Sequence, residues 1–257
     1  FAELSTTSIL DVGNLAQHLR QELTTDRLGI SIATGTTFKV VQASDPSVLV
    51  QNISIGTSSY DCFWDIANNR LYISSFSAAK VLILNATTYA NLGIDITSMT
   101  GATYMFPNLA NNRFFLINES GGTVRIISTT TLLQTGSFAV STAIRDVDYR
   151  AGADEIYCAV ITGNLIKVYD GTTFAFKRNI SPTGFSQLNN ISIDEDNNRY
   201  FVQDSSAFFI KVYDLTTDAL LDTLDYAQVL YLAEIGSDNI LYCIESTGTS
   251  RIRRIIG

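Results

Sequence analysis

The chain has 257 residues, 46% of them hydrophobic and 16% charged, with a net charge of −8. That length fits one large all-β domain, and a charged share below the usual roughly 25% with abundant Ser, Thr, Asn and Gly is a folded, β-rich profile. The acidic balance opposes a phosphate backbone or an anionic lipid surface, and no run of about 18 apolar residues is present, so neither a nucleic-acid partner nor membrane insertion is expected.

In chain order, a 16-residue window recurs without gaps. It reads RLGISIATGTTFKVVQ from Arg27, RLYISSFSAAKVLILN from Arg70, RFFLINESGGTVRIIS from Arg113, EIYCAVITGNLIKVYD from Glu155, RYFVQDSSAFFIKVYD from Arg199 and ILYCIESTGTSRIRRI from Ile240. Its second and fourth positions are apolar in every copy, from Leu28 and Ile30 to Leu241 and Cys243. A polar turn and a second strand-like run follow, as at Ile210-Lys211-Val212. An inner run such as NNISI or IRDVDY precedes each window and an outer one such as VLVQNISI or ALLDTLD follows it.

Four short strands per repeat, with no helical stretch between them, predict an all-β, six-bladed β-propeller of four-stranded antiparallel blades, one domain over residues 1–257. The 26 residues before Arg27 and the 18 from Ile240 onward together make 44, one repeat. The last blade is therefore expected to take its outermost strand from the N-terminus, near Thr7 to Val12, which removes free edges at the seam. The chain opens at Phe1 without a basic-then-apolar leader and reads as a mature or excised piece. In the last copy Arg251, Arg253 and Arg254 stand where other copies are largely apolar.

The stretch SIDEDNNRYFV, Ser192 to Val202, holds Asp194-x-Asp196-x-Asn198, which has the look of a calcium loop. The Gly required at the sixth loop position is Arg199 and the Glu at the twelfth is Ser205. DEDNNR also aligns with DIANNR and LANNR, so an inner hairpin turn is expected there.

The segment NNRLYISSFSAAKVLILNATTYANL resembles the YVTN repeat of surface-layer-type propellers, and ISIDEDNNRYFVQDSSAFFIKVYD is similar to that repeat and to NHL-type repeats. The resemblance covers nearly the whole chain and its motif is structural. It implies a propeller that binds or scaffolds, often at a cell surface, and it transfers no catalytic residue. WD, kelch and sialidase-type signatures do not recur.

Nine residues before each window stand His18, Asp61, Tyr104, Asp146, Asn190 and Tyr231. All belong to innermost strands, so they are expected at one level of the central channel, as a candidate ring for a small polar ligand, a sugar or a cation, with a hydrated, self-satisfied channel as the plainer alternative. The chain has one His, so the three-His or two-His zinc sets of hydrolases cannot form; no metal site and no cofactor is expected, although carboxylates alone could hold calcium or magnesium. Neither a nucleophile elbow, a P-loop nor a dinucleotide fingerprint occurs, so no catalytic residue is named and the balance leans away from an enzyme. Cys62, Cys158 and Cys243 fall in alternate repeats at apolar positions, too far apart for disulfides, and read as buried thiols. Sequons occur at Asn52, Asn85, Asn118, Asn179 and Asn190. Asn85 and Asn118 are the best glycosylation candidates, then Asn52; Asn190 is expected to face the channel, and Pro182 follows the sequon of Asn179. The functional expectation is a non-enzymatic structural or interaction module, extracellular or at a cell or virion surface, with protein partners or copies of itself.

Overall fold

The computed structural model describes residues 2–3, 16–22, 24–32, 35–45, 47–119, 121–141, 143–204, 206, 208–225, 229–235, 240–246 and 250–256, with side chains described only between residues 18 and 225. The strands in chain order are β1 (Ala2–Glu3), β2 (Ala16–Glu22), β3 (Arg27–Ile32), β4 (Thr37–Gln42), β5 (Leu49–Ser54), β6 (Cys62–Asp65), β7 (Arg70–Ser75) and β8 (Lys80–Asn85). They continue as β9 (Ala102–Asn108), β10 (Arg113–Asn118), β11 (Thr123–Ser128), β12 (Gln134–Ala139), β13 (Ile144–Arg150), β14 (Glu155–Val160), β15 (Leu165–Asp170) and β16 (Phe176–Ile180). The last are β17 (Leu188–Asp194), β18 (Arg199–Asp204), β19 (Phe209–Asp214), β20 (Leu220–Asp225), β21 (Val229–Ile235), β22 (Ile240–Ser246) and β23 (Ser250–Ile256).

These strands form a β-propeller with five four-stranded antiparallel blades, β2–β5, β9–β12, β13–β16, β17–β20 and β21-β22-β23-β1, and a three-stranded sheet, β6–β8. The expectation of six four-stranded blades is thus corrected at the second window. There the segment after β8 makes only isolated bridges, Val81↔Ile96 and Leu84↔Asn91, because Gly93 and Ser98 take positive φ and the Asp95 carboxylate occupies the place of a strand carbonyl, accepting Ile83 N–H at 3.2 Å. The N-terminal strand expected near Thr7 to Val12 lies outside the described residues; β1 pairs with β23 over two residues only, Ala2↔Ile256 and Glu3↔Ile255. First strands of successive sheets touch in the cycle β2, β6, β9, β13, β17, β21 and back to β2. Among the described residues no helix is long and apolar enough to cross a membrane.

The hydrophobic core is divided into slabs between neighbouring sheets. One holds Phe38 and Val40 of the first blade against Trp64, Leu71 and Ile73 of the next sheet; another holds Tyr157 and Ile166 against Tyr200 and Val202. The second strands β3, β7, β10, β14 and β18 are covered on both faces, which is why β14 is buried at every residue and reads as a continuous apolar run. The third window position is aromatic in five copies, as in Tyr72, Phe115, Tyr157 and Phe201, but Gly29 in the first. A Cβ on Gly29 would meet Trp64 Cη2 at 2.5 Å, so the sole Trp of the chain fills from the next sheet the space that other copies fill from within.

The residue before each of the first five windows, Asp26, Asn69, Asn112, Asp154 or Asn198, adopts the left-handed conformation with φ between 49° and 53°, which Asn and Asp tolerate best among residues with a Cβ. Its carbonyl accepts the N–H of the residue just past the same window, as in Ala86 to Asn69 at 3.1 Å and Leu215 to Asn198 at 2.9 Å, tying the inner hairpin to the outer one. The arginine that follows reaches the next sheet. Arg27 donates to Ala86 O (3.2 Å), Arg70 to Thr129 O (2.6 Å) and Arg113 to Gly171 O (2.7 Å). In the fourth copy the window begins with Glu155, and its ladder partner Arg150 donates instead to Leu215 O at 3.3 Å. This arginine latch recurs at successive joints between sheets and accounts for the Arg that opens the first three windows, whereas Arg199, opening the fifth, bonds Asp194 within its own hairpin at 2.7 Å.

Candidate functional site

The residues expected in the channel lie in first strands, except Asp61, which directly precedes β6, and most of these strands are locally reshaped there. A bulge interrupts the ladder between Ala16 and His18, between Ile144 and Asp146, between Leu188 and Asn190 and between Leu230 and Leu232. Such an extra residue re-aims the side chains beside it. His18 then pairs with Ser31, Asp146 with Ala159 and Asn190 with Gln203, all fifth positions of their windows. In β21 the residue opposite the fifth position, Ile244, is Leu232, so Tyr231 falls in the bulge and its backbone is one residue off the level assigned from spacing.

The side chains at this level are engaged with neighbouring strands. His18 Nδ1 lies 2.7 Å from Asp61 Oδ1, and both residues are almost fully buried. Asp61 accepts Cys62 N–H at 2.6 Å and, across to the next sheet, Met105 N–H at 2.7 Å; Arg20 stands 3.5 Å from its other flank and donates to Met105 O at 3.1 Å. Asp146 repeats the pattern: it accepts Val147 N–H at 2.9 Å and Ile191 N–H of the next blade at 3.1 Å, while the Asn190 amide donates to the same oxygen. Two residues on, Asp148 accepts Tyr149 N–H at 2.7 Å and Ile193 N–H at 2.6 Å. Each carboxylate therefore ties the backbone of the residue after it to the first strand of the following sheet. The Tyr104 ring, half-buried, sits 5.5 Å from the His18 ring.

Burial decides the charge states. It holds His18 below the ordinary imidazole range despite the Asp61 carboxylate beside it, so His18 is neutral near pH 7. Burial alone would raise Asp61, but His18, Arg20 and the Met105 N–H hold it below the usual carboxylate range. Burial drives Asp146 well above that range against the pull of the Ile191 N–H, and burial pushes Asp148 up to about 7. The Tyr104 hydroxyl is raised by burial too.

The cavity lined by His18, Arg20, Asp146, Asp148, Asn190 and Ser192 measures about 10 Å³, the scale of one water molecule. Among the described residues no group of three His, Cys, Asp or Glu side chains is placed to hold a metal ion. Arg20 and Asp148 were not singled out from sequence; the period-two alternation of a strand places each on the face of His18 and Asp146 respectively, and that signal could have found them.

The other candidates are placed as follows. Asp194 accepts Asn197 Nδ2 at 2.9 Å and Arg199 Nε at 2.7 Å, and Asn198 is the left-handed turn residue, so this carboxylate serves the inner hairpin turn. Cys62 and Cys158 are buried and in no disulfide, the thiol of Cys158 pushed up by burial, while the side chain of Cys243 lies outside the described set. Asn85 Oδ1 accepts Thr87 N–H (2.9 Å) and Thr88 N–H (2.8 Å), and Asn118 Oδ1 accepts Gly121 N–H (3.0 Å), so both amides shape turns. Asn52 is exposed on β5, Asn179 is exposed on β16, and Asn190 is buried at the channel. No protein-family model matches the chain, and no curated protein matches it.

Proposed function

We propose that this chain is a YVTN/NHL-type propeller acting as a non-enzymatic structural and interaction module at an extracellular, cell or virion surface, and that it assembles with copies of itself. The observation that supports this reading is the channel ring: its carboxylates are taken up by N–H groups and side chains of adjoining sheets, and the space left is that of a single water. A propeller whose convergent polar groups are consumed in holding it together offers partners its outer surface, where large apolar side chains stand exposed on several outer segments, among them Leu49, Leu133, Phe176 and Leu220. Rigidity follows from the same bonds, since each of the four joints from β2–β5 round to β17–β20 combines an apolar slab with hydrogen bonds from an arginine or a carboxylate. No cofactor is part of the proposal. The test is the mass of the natively isolated particle by light scattering, set against the 28.2 kDa chain. A homogeneous particle of several chains supports the reading; a particle at chain mass overturns it.

A further inference from the structure

The outer edges of the sheets are not equivalent. β5, β12, β16 and β20 each end the strand order of a four-stranded sheet, so among the described residues no further strand pairs with the outer side of any of them. β16 carries Lys177 and Arg178, β20 carries Asp222 and Asp225, β1 carries Glu3, and the segment beside β8 carries Asp95. Only β5 and β12, among the described outer edges, have no ionisable residue. Two chains of charge −8 repel one another, and pairing two neutral edges adds no like-charge contact and buries no ionic group.

These two neutral edges also differ in shape. At the start of β5, which bulges at Val50, the bend residue Val48 and the strand residues Leu49 and Val50 are exposed in succession, at 40%, 49% and 37%. On β12 the residue opposite Ile126 is Gly136, whereas the matching ladder positions carry Gln51 opposite Val40, Arg178 opposite Val168 and Asp222 opposite Val212. The missing side chain leaves a groove of about 360 Å³ floored by Ile126 and Phe174 and bordered by Arg113 and Ser137. A volume near the lower end of the roughly 300–1,000 Å³ typical of ligand sites is ample for one apolar side chain.

We propose that β5 of one copy docks along β12 of a second copy, extending its sheet by a strand and seating Leu49 in the groove over Gly136. The inference rests on the self-assembly reading above and names its surface. Because knob and groove lie on different blades of one chain, the contact is heterologous: each copy has one of each, and assembly propagates rather than closing as a twofold dimer. The sequon at Asn52 lies on the same strand, so a glycan there would block the contact.

The experiment compares wild type with Leu49→Asp, Gly136→Arg and, as a control on another outer edge, Leu220→Asp, by sedimentation velocity, with circular dichroism confirming the fold. Gly136→Arg places in β12 the residue that β16 carries naturally, and its Cβ would meet only the flexible end of Ile126 at 3.2 Å. Leu49→Asp and Gly136→Arg are each expected to weaken association at least tenfold, while Leu220→Asp leaves the particle intact. Mixing the first two is expected to give dimers and nothing larger, since only one intact knob and one intact groove remain. Wild type at chain mass overturns the self-assembly reading and this inference with it. Large wild-type particles that persist in both variants, or a glycan on Asn52 of the native protein, overturn this inference alone.

Discussion

Removing the Arg113 guanidinium is expected to loosen the joint between the third and fourth blades. Its Nη2 donates to Gly171 O at 2.7 Å, and its guanidinium carbon stands 5.4 Å from the ring centres of both Phe115 and Phe174. A hydrogen bond from a charged donor contributes about 1.5–3 kcal/mol, and each cation–π contact at a partly exposed site about 0.5–1 kcal/mol. Arg113→Ala should therefore destabilise by roughly 2–4 kcal/mol, allowing for overlap between the contacts. For a domain of this size each kcal/mol moves the midpoint by about 2–4 °C, so thermal unfolding followed by circular dichroism should shift down by roughly 4–16 °C. Arg113→Lys keeps the charge but loses the planar fork and the flat stacking, and is expected to recover less than half of the loss. Arg150→Ala, at the next joint, should behave alike although it stands outside the repeated window, because it makes the equivalent bond to Leu215 O. Asp222→Ala, on an exposed edge, serves as the reference and should stay within about 0.5 kcal/mol. A shift below 1 °C for Arg113→Ala would refute the latch, since it would mean that solvent replaces the contact without loss.

Three further outcomes are expected. Gly29→Ala should destabilise by about 1–3 kcal/mol in urea unfolding, because the new Cβ meets Trp64, Cys62 and Phe38 at 2.5–2.8 Å, and Trp64→Phe in the same chain should restore part of it; an unchanged midpoint would show that the slab gives way freely. Asp61→Asn should cost about 3–5 kcal/mol by the same assay, because it leaves the His18, Arg20 and Met105 groups around a buried site without their anion, and a loss under 1 kcal/mol would contradict the stitching role. Asp148, raised by burial to about 7 in the fold, binds more protons there than in the unfolded chain, so its contribution is full below the ordinary carboxylate range and is lost as pH rises toward 7. Wild type should therefore lose stability relative to Asp148→Asn between pH 4 and pH 7, by at most about 1.4 kcal/mol per pH unit; parallel curves would count against the shift. Neutral His18 acts in the opposite sense, destabilising the fold as pH falls below its ordinary range, and is present in both proteins, so the comparison cancels it.

Sequence spacing carried the repeat a long way because its punctuation is local. The Asn or Asp before each of the first five windows is needed where the backbone turns left-handed, and the apolar second and fourth positions of those windows are needed where a strand is covered on both faces. The turn at Asp194 was legible for the same reason. What spacing could not carry is non-local or depends on bulges. Tyr231 was placed one residue off because a bulge does not change the spacing between repeats. The missing outer strand after β8 reflects a left-handed Gly93 and a carboxylate acting as a carbonyl. The exchange of an aromatic at Gly29 for Trp64, and of Arg at Glu155 for Arg150, are substitutions compensated across a sheet boundary or a ladder, visible only once the partners are adjacent. For the candidate ring, spacing put His18, Asp146 and Asn190 opposite the same window position, but the N–H groups that occupy the Asp61 and Asp146 carboxylates belong to backbone and leave no mark in residue identity.

The decisive measurement is amide hydrogen exchange at Met105 and Ile191, the two N–H groups that reach across sheets to Asp61 and Asp146, with and without calcium, magnesium and a panel of sugars. If the ring holds the blades together, both amides should exchange as slowly as the core of β14, with no change on any addition. Fast exchange that slows when one of those ligands is added would contradict this and return the channel to the role of a binding site.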